Sequence, residues 1–285
     1  MLREIHNPPV MLFVKGNVNA LTGRTLAVVG TRYATDYGRT ITAHLVQGLH
    51  EAGLRDAVII SGLAAGIDSC AHWAALEHGF LTTAVFGCGL DVIFPTGNKR
   101  LAAEILDRNG ALVSEYPLGI GTSSFTFPQR NRIVAGLSYG VVVGEGGAKS
   151  GALITARLAA EEGRSVFAVP GNVLSPMSQG PVALLRSGAI AVASAADILE
   201  DLRWVVSPER QQQQRLLLID NAAELSETEQ KLLALIAYDP VALDSVFIQA
   251  AERLKLPSAE VNTLLTTLEL EGCVKLLPGA CVCRL

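Results

Sequence analysis

No run of apolar residues in this 285-residue chain reaches the roughly 18 to 20 that a membrane-spanning helix needs. The opening MLREIHNPPV lacks a charged head followed by a long apolar core, so no secretory leader is read there and a cytoplasmic protein is expected. The five cysteines (Cys70, Cys88, Cys273, Cys281 and Cys283) form no C-x-x-C and none sits beside a histidine at metal-ligand spacing. That pattern argues against a disulfide framework or a structural zinc, and no metal or cofactor is expected. A positive excess is missing too: the formal charge is −4, so any nucleic-acid binding must rest on cations gathered in one place.

Two nucleotide fingerprints are also absent. A P-loop, G-x-x-x-x-G-K-[ST], counted back from Lys149 and Ser150, requires glycines where Val143 and Ala148 stand. The dinucleotide pattern G-x-G-x-x-G fails because Gly30 is followed by Thr31 and Arg32 and the next glycine is Gly38. Glu115 is the one acidic residue directly ending an apolar run, and a proline follows closely. ATP hydrolysis is therefore not expected, and a protein without enzymatic chemistry is.

What is present is a repeated unit of short apolar run, glycine-containing turn and helical pattern. The runs are LAVVG at 26–30, AVIISG at 57–62, TAVFG at 83–87, ALVSE at 111–115, GVVVG at 140–144 and SVFAVPG at 165–171. Continuous apolar runs alternating with helices predict a doubly wound α/β domain: a parallel sheet covered on both faces, with its working crevice at the carboxyl ends of the strands. This extended Rossmann-like domain is placed at residues 1–205, including a leading segment at 1–24. Residues 206–221, with a proline, a glutamine run and charges, read as a linker. Residues 222–285 read as a small winged-helix domain: three helices, the first opened by a capping box at Ser226 and Glu229, then two strands around a Pro-Gly turn.

The strand ends carry the candidate chemistry. Lys149, Ser150 and Thr155 follow a Gly-rich turn that includes Gly147, at a helix start whose free amides favour an anion. Arg32, with Gly30 and Thr31 before it, stands at the first strand-to-helix turn and suits a phosphodiester oxygen. Ser61, Gly62 and Gly66 shape the next turn, where close helix packing and ligand contact both stay open. Asp68 reads as an orienter of that turn, and a helix-face pair with His72 is open. In TFPQRNR, Phe125 and Phe127 precede Arg130, Asn131 and Arg132, which sets cations for phosphates beside aromatic faces for bases. One of the two arginines has an alternative partner in Glu115. Lys99 and Arg100 open a further helix, where their charge opposes the helix dipole and calls for an anion or solvent.

Together VVGTR, SGLAAGIDSCAHWAAL, FGCGLDVIFP, TFPQRNRIVAGLS, VVGEGGAKSGALITA and FAVPGN resemble one family, DNA processing protein A (DprA, also called Smf), over about residues 8 to 203. Its members usually carry a helical domain ahead of the PPVMLFVKGN segment, which this sequence does not include. The resemblance implies a homodimer that binds and protects incoming single-stranded DNA. It also implies work beside single-stranded DNA-binding protein and help in loading RecA recombinase during natural transformation. The runner-up resemblance is to the nucleotide-processing LOG group, whose P-G-G-x-G-T loop and following glutamate stand where this chain has GEGGAKSG and reaches Glu161 late. A non-catalytic nucleotide-sensing module would share the same turns. From residue 222 onward nine acidic side chains outnumber five basic ones, and PSAEVNTLLTTLELEG contains no lysine or arginine. Reading of duplex DNA by that helix is therefore not expected.

Overall fold

The structure is a computed structural model describing residues 1–123, 125–204, 226–237, 241–270, 273–277 and 280–284. Its contacts divide it into Met1–Gln211 and Gln212–Leu285. That boundary, the linker expected at 206–221 and the Pro-Gly turn fall outside the described residues.

The first unit is built on an eight-stranded sheet. Its strands are β1 (Phe13–Gly16), β2 (Arg24–Val29), β3 (Ala57–Ser61), β4 (Leu81–Phe86), β5 (Ala111–Ser114), β6 (Gly140–Val143), β7 (Ser165–Ala168) and β8 (Ile190–Ala191). They lie in the order β1-β5-β4-β3-β2-β6-β7-β8. All six expected strands are present, in parallel register from β5 to β7. Two were not anticipated. β1 comes from the leading segment and pairs antiparallel with β5, and the two-residue β8 closes the other edge. Neither reads as a continuous apolar run: β1 is FVKG and β8 has two residues.

Residue alternation divides the apolar side chains between two faces. Leu26, Val28 and Ile59 point to one side, where they pack with Leu45 and Leu49 of α1 (Asp36–Glu51), Ala71 of α2 (Ile67–Glu77) and Ile198 of a later helix, Ala195–Asp201. Ala27, Val29 and Ile60 point to the other, against Ile133 of α4 (Thr126–Leu137) and Ala156 of α5 (Gly151–Glu161). The helix between these pairs, α3 (Lys99–Asp107), packs Leu101 and Ile105 on Phe86 and Leu112. Burying such a side chain completely contributes roughly 1.5–3 kcal/mol, so a sheet covered on both faces supplies the rigid base for its loops. Connections run outward from β2 towards β5 and then, through α4, from β6 towards β8. The order therefore reverses between β2 and β6, and that junction is the switch point where a crevice opens.

In the second unit α8 follows as Glu227–Leu233, after α6 (Gln179–Arg186) and α7 (Ala195–Asp201) of the first. The expected capping box is formed: Ser226 N–H donates to Glu229 at 2.6 Å and Glu229 N–H to Ser226 Oγ at 3.3 Å. Helices α9 (Leu243–Gln249) and α10 (Ser258–Leu270) follow, with a three-stranded antiparallel sheet ordered β10 (Val274–Leu277), β11 (Cys281–Arg284), β9 (Val241–Ala242). This is a winged helix, with one short strand more than expected. Along α10 the hydroxyls of Thr263, Thr266 and Thr267 each donate to the carbonyl four residues earlier.

One core contact makes the first unit sensitive to acid. His72 is 0% exposed, and its Nδ1 lies 2.7 Å from Thr82 Oγ1. Because the Thr82 hydroxyl donates to Ile59 O, it accepts from His72, which fixes the proton on Nδ1. His72 Nε2 is buried without a partner, so a second proton would place an unsatisfied charge in the core. Burial, with the Arg130 charge adding to it, lowers the His72 pKa from 6.5 to about 3. The helix-face pair with Asp68 is not made. A group whose folded pKa is depressed leaves stability intact above its unfolded pKa and removes it as pH falls towards the folded one. Lowering the pH from 7 to 5 should therefore cost about 2 kcal/mol through this residue alone. Denaturant unfolding of wild type and His72→Asn at both pH values measures it, and the variant should lose that much less.

Candidate functional site

The loops following β2, β3, β4, β5 and β6, with the starts of α4 and α5, enclose an open cavity of about 770 Å³ at the switch point. Its floor is a buried cation. Arg130, 5% exposed, donates through Nη1 to Val85 O in β4 and lies directly under Gly62. A Cβ at position 62 would overlap the guanidinium, so glycine there is a condition of the cation's seat. Asp68 faces the same charge and accepts the N–H groups of Gly62 at 3.1 Å and Ala64 at 3.4 Å. Burial raises its carboxyl above the usual range, and Arg130 and the backbone N–H groups oppose that rise. Burial likewise draws Arg130 below the ordinary arginine value, with Asp68 opposing. Asp68 thus orients the turn, as expected.

Above this floor lies an aromatic wall. The Phe127 ring is 5.6 Å from that of Phe94, and the guanidinium carbons of Arg32 and Arg130 lie 5.4 and 6.0 Å from its centroid. Arg32 and Lys149 are exposed, and neither makes an ion pair among the described residues. The remaining side is the start of α5, where Ser150 Oγ accepts from Ala152 N–H at 3.3 Å while its own proton stays available to donate. Three cations thus line the cavity against one carboxylate, Asp68.

The loops carrying these groups are braced by Glu145, 3% exposed. Its carboxylate accepts Thr35 N–H at 2.9 Å and the Thr35 hydroxyl at 2.6 Å, while Thr35 Oγ1 caps α1 by accepting from Gly38 N–H. The Glu145 carbonyl accepts Thr31 N–H at 2.8 Å. Arg32 is therefore held between two anchors, both supplied by the loop that also carries Lys149.

Of the residues singled out in the sequence, Gly30, Thr31, Arg32, Gly62, Phe127, Arg130, Asn131, Gly147, Lys149, Ser150 and Thr155 line the cavity. Four do not. Ser61 is buried and donates to Val28 O at 2.6 Å. Gly66 begins α2 with φ of 79°, where a Cβ would strike Thr31 O. Lys99 is exposed at the start of α3, beside Arg100 on the Trp73 ring at 5.7 Å. Arg132 makes a two-oxygen contact with Glu115 at 2.7 and 2.8 Å, the alternative foreseen for one of the arginines. The reason is helical geometry: two residues apart at 100° each, Arg130 and Arg132 leave α4 about 200° apart and cannot enter one cavity. Thr155 is buried, so its hydroxyl belongs to the wall. Tyr33, Phe94 and the Glu145 brace were not singled out. Phe94 stood inside a quoted stretch, and nothing in the local pattern marks Glu145 as buried.

The family model described as DNA recombination-mediator protein A matches residues 1–203. The chain belongs to that family. A second family model, the DprA winged helix domain, matches residues 220–280. Protein Smf of Escherichia coli strain K12 is 40% identical over 274 residues, covering 96% of this chain and 71% of that protein. The X-ray structure of DprA from Streptococcus pneumoniae superimposes with a TM-score of 0.66 at 46% identity, over 70% of this chain and 69% of that one. DprA from Helicobacter pylori, whose structure is described for its single-stranded DNA binding mode, has a TM-score of 0.63 at 32% identity, over 70% and 90% of the two chains. The motif resemblance to the DprA family is thereby confirmed.

The Glu145 brace is open to test. Glu145→Ala should lower unfolding free energy by about 1–3 kcal/mol, since the Thr35 N–H and hydroxyl lose their acceptor. Glu145→Gln, which keeps a carbonyl oxygen, should lose less. Equal stability of Glu145→Ala and wild type in denaturant titration would show that the two loops are held by other means.

Proposed function

We propose that this chain binds single-stranded DNA in the switch-point cavity and serves DNA processing as a binding protein without chemistry of its own. The observation that carries the reading is the grouping of exposed Arg32 and Lys149, neither in an ion pair among the described residues, with the Phe127 ring inside one concavity. Cations neutralise phosphates, and an aromatic face receives an unpaired base, which a duplex keeps stacked inside. Kinship supports it: the DprA of Helicobacter pylori, similar in fold at 32% identity, is described for its single-stranded DNA binding mode. The binding set is Gly30, Thr31, Arg32, Gly62, Phe127, Asn131, Gly147, Lys149 and Ser150, with Arg130 as the buried charge beneath them.

The nucleotide-processing alternative requires a carboxylate free to act on a substrate. Asp68 accepts backbone N–H groups and Glu145 is held by Thr35, which favours binding over catalysis. Residues 1–205 then form the DNA-binding domain, 206–221 a linker and 222–285 a module for protein contact, since α10 lacks lysine and arginine. Protection of incoming DNA, loading of RecA recombinase, work beside single-stranded DNA-binding protein, homodimer formation and a cytoplasmic location complete the proposal.

Each phosphate neutralised on a single strand contributes about 0.7 to the slope of log affinity against log salt. Replacing both Arg32 and Lys149 by Ala should lower that slope for oligo-dT by about 1.4 and weaken binding at every salt concentration. Arg132→Ala should leave the slope unchanged. Fluorescence anisotropy titrations at several salt concentrations supply the comparison, and an unaltered slope in the double variant would remove the cavity from the binding surface.

A further inference from the structure

Three large aromatic side chains stand exposed on segments that line the cavity: Tyr33 and Phe94 on its lining, and Phe125 between the lining residues Ser123 and Phe127 in sequence. Tyr33 is 84% exposed, Phe125 78% and Phe94 41%. Phe94 is already engaged with Phe127, but no ring contact of Tyr33 or Phe125 occurs among the described residues. Rings of this size are commonly at least half covered in a folded chain, and a cluster left open beside a polar cavity marks an interaction surface.

Both positions are fixed by their backbones. Tyr33 N–H donates to Thr31 Oγ1 at 3.1 Å, and Thr31 N–H is tied to Glu145 O, so the loop after β2 presents the ring from a braced turn. Phe125 is the N-cap residue of α4, whose first turn packs on Gly87 at the end of β4: a Cβ there would lie 3.2 Å from Thr126 O and 3.3 Å from Phe127 N. Tyr33 thus stands on the loop after β2 and Phe125 on the connection from β5 to α4, with β3 and β4 lying between those two strands in the sheet. The exposed cations of the cavity, Arg32 and Lys149, favour a polyanion over an apolar protein partner as the occupant of this rim. A flexible polyanion that also carries flat apolar faces is a single-stranded nucleic acid.

We propose that Tyr33 and Phe125 are base-stacking residues that extend the site beyond the cavity, gripping nucleotides that flank the one seated against Phe127. The inference rests on the single-stranded DNA reading above and deepens it: affinity comes from base faces as well as from phosphates. The surface therefore selects an unpaired strand over other polyanions of equal charge.

An abasic oligonucleotide keeps every phosphate and removes every base, which separates the two contributions. The full chain, Tyr33→Ala/Phe125→Ala and the conservative Tyr33→Phe/Phe125→Tyr are titrated by anisotropy with oligo-dT and with an abasic strand of equal length. Wild type should bind oligo-dT at least fivefold more tightly than the abasic strand, the lower end expected for one stacked base. The alanine variant should lose at least fivefold on oligo-dT and nothing on the abasic strand, and the conservative variant should keep both affinities. Equal losses on the two strands, or no loss on oligo-dT, would overturn the stacking assignment while leaving single-stranded DNA binding in place. Unchanged oligo-dT binding with an altered sedimentation coefficient would reassign the rim to contact between chains and overturn it as well. Failure of wild type to bind either strand would instead sink the DNA reading on which the inference stands.

Discussion

The site depends on one buried charge. Arg130 places a guanidinium where the carboxyl ends of the central strands meet, and it is kept there by Val85 O, by Asp68 and by the missing side chain of Gly62. Opposite charges buried near one another are a weak source of net stability, but removing either leaves the other uncompensated in the interior at a cost of several kcal/mol. Such a pair punishes alternatives more than it rewards the native state. It thereby fixes the relative positions of the turn after β3, the end of β4 and the start of α4, which are three of the walls of the cavity.

From that constraint the division of labour among the cations follows. Arg130 is withdrawn from solvent and sets the geometry. Arg132, on the far side of α4, closes on Glu115. Arg32 and Lys149, on the loops after the two strands flanking the switch point, are the cavity cations left exposed. Glu145 links them, since its carboxylate and carbonyl hold the loop of one while its own loop carries the other. A chain with net negative charge thus presents positive charge where its fold brings two loops together, and nowhere needs a basic run in sequence.

Much of this was legible before any coordinates. The six parallel strands announce themselves because strands buried on both faces are continuous apolar runs, and the crevice follows from their connections. The missing P-loop glycines at Val143 and Ala148 leave a helix start suited to a generic phosphate, and Lys149 and Ser150 stand on the cavity. What stayed hidden is long-range. β1 is four residues long and defined by β5 a hundred residues away. Burial of Arg130 but not Arg32 is set by tertiary packing, and so is the engagement of Glu145 with Thr35. Arg132 was half legible: its spacing from Arg130 already forbids a shared direction on a helix.

The reversal of strand order between β2 and β6 has a further thermodynamic meaning. Arg32 and Lys149 are more than a hundred residues apart in sequence, and they meet when β2 pairs with β6. No local segment of the chain brings both of these cations together, so their juxtaposition depends on folding of the first unit. By linkage, a strand that binds the folded form alone adds RT ln(1 + [L]/Kd) to its stability. The cavity is therefore also a gauge: occupancy reads out the integrity of the whole sheet, and a loosened core anywhere along β2 or β6 registers as weakened binding.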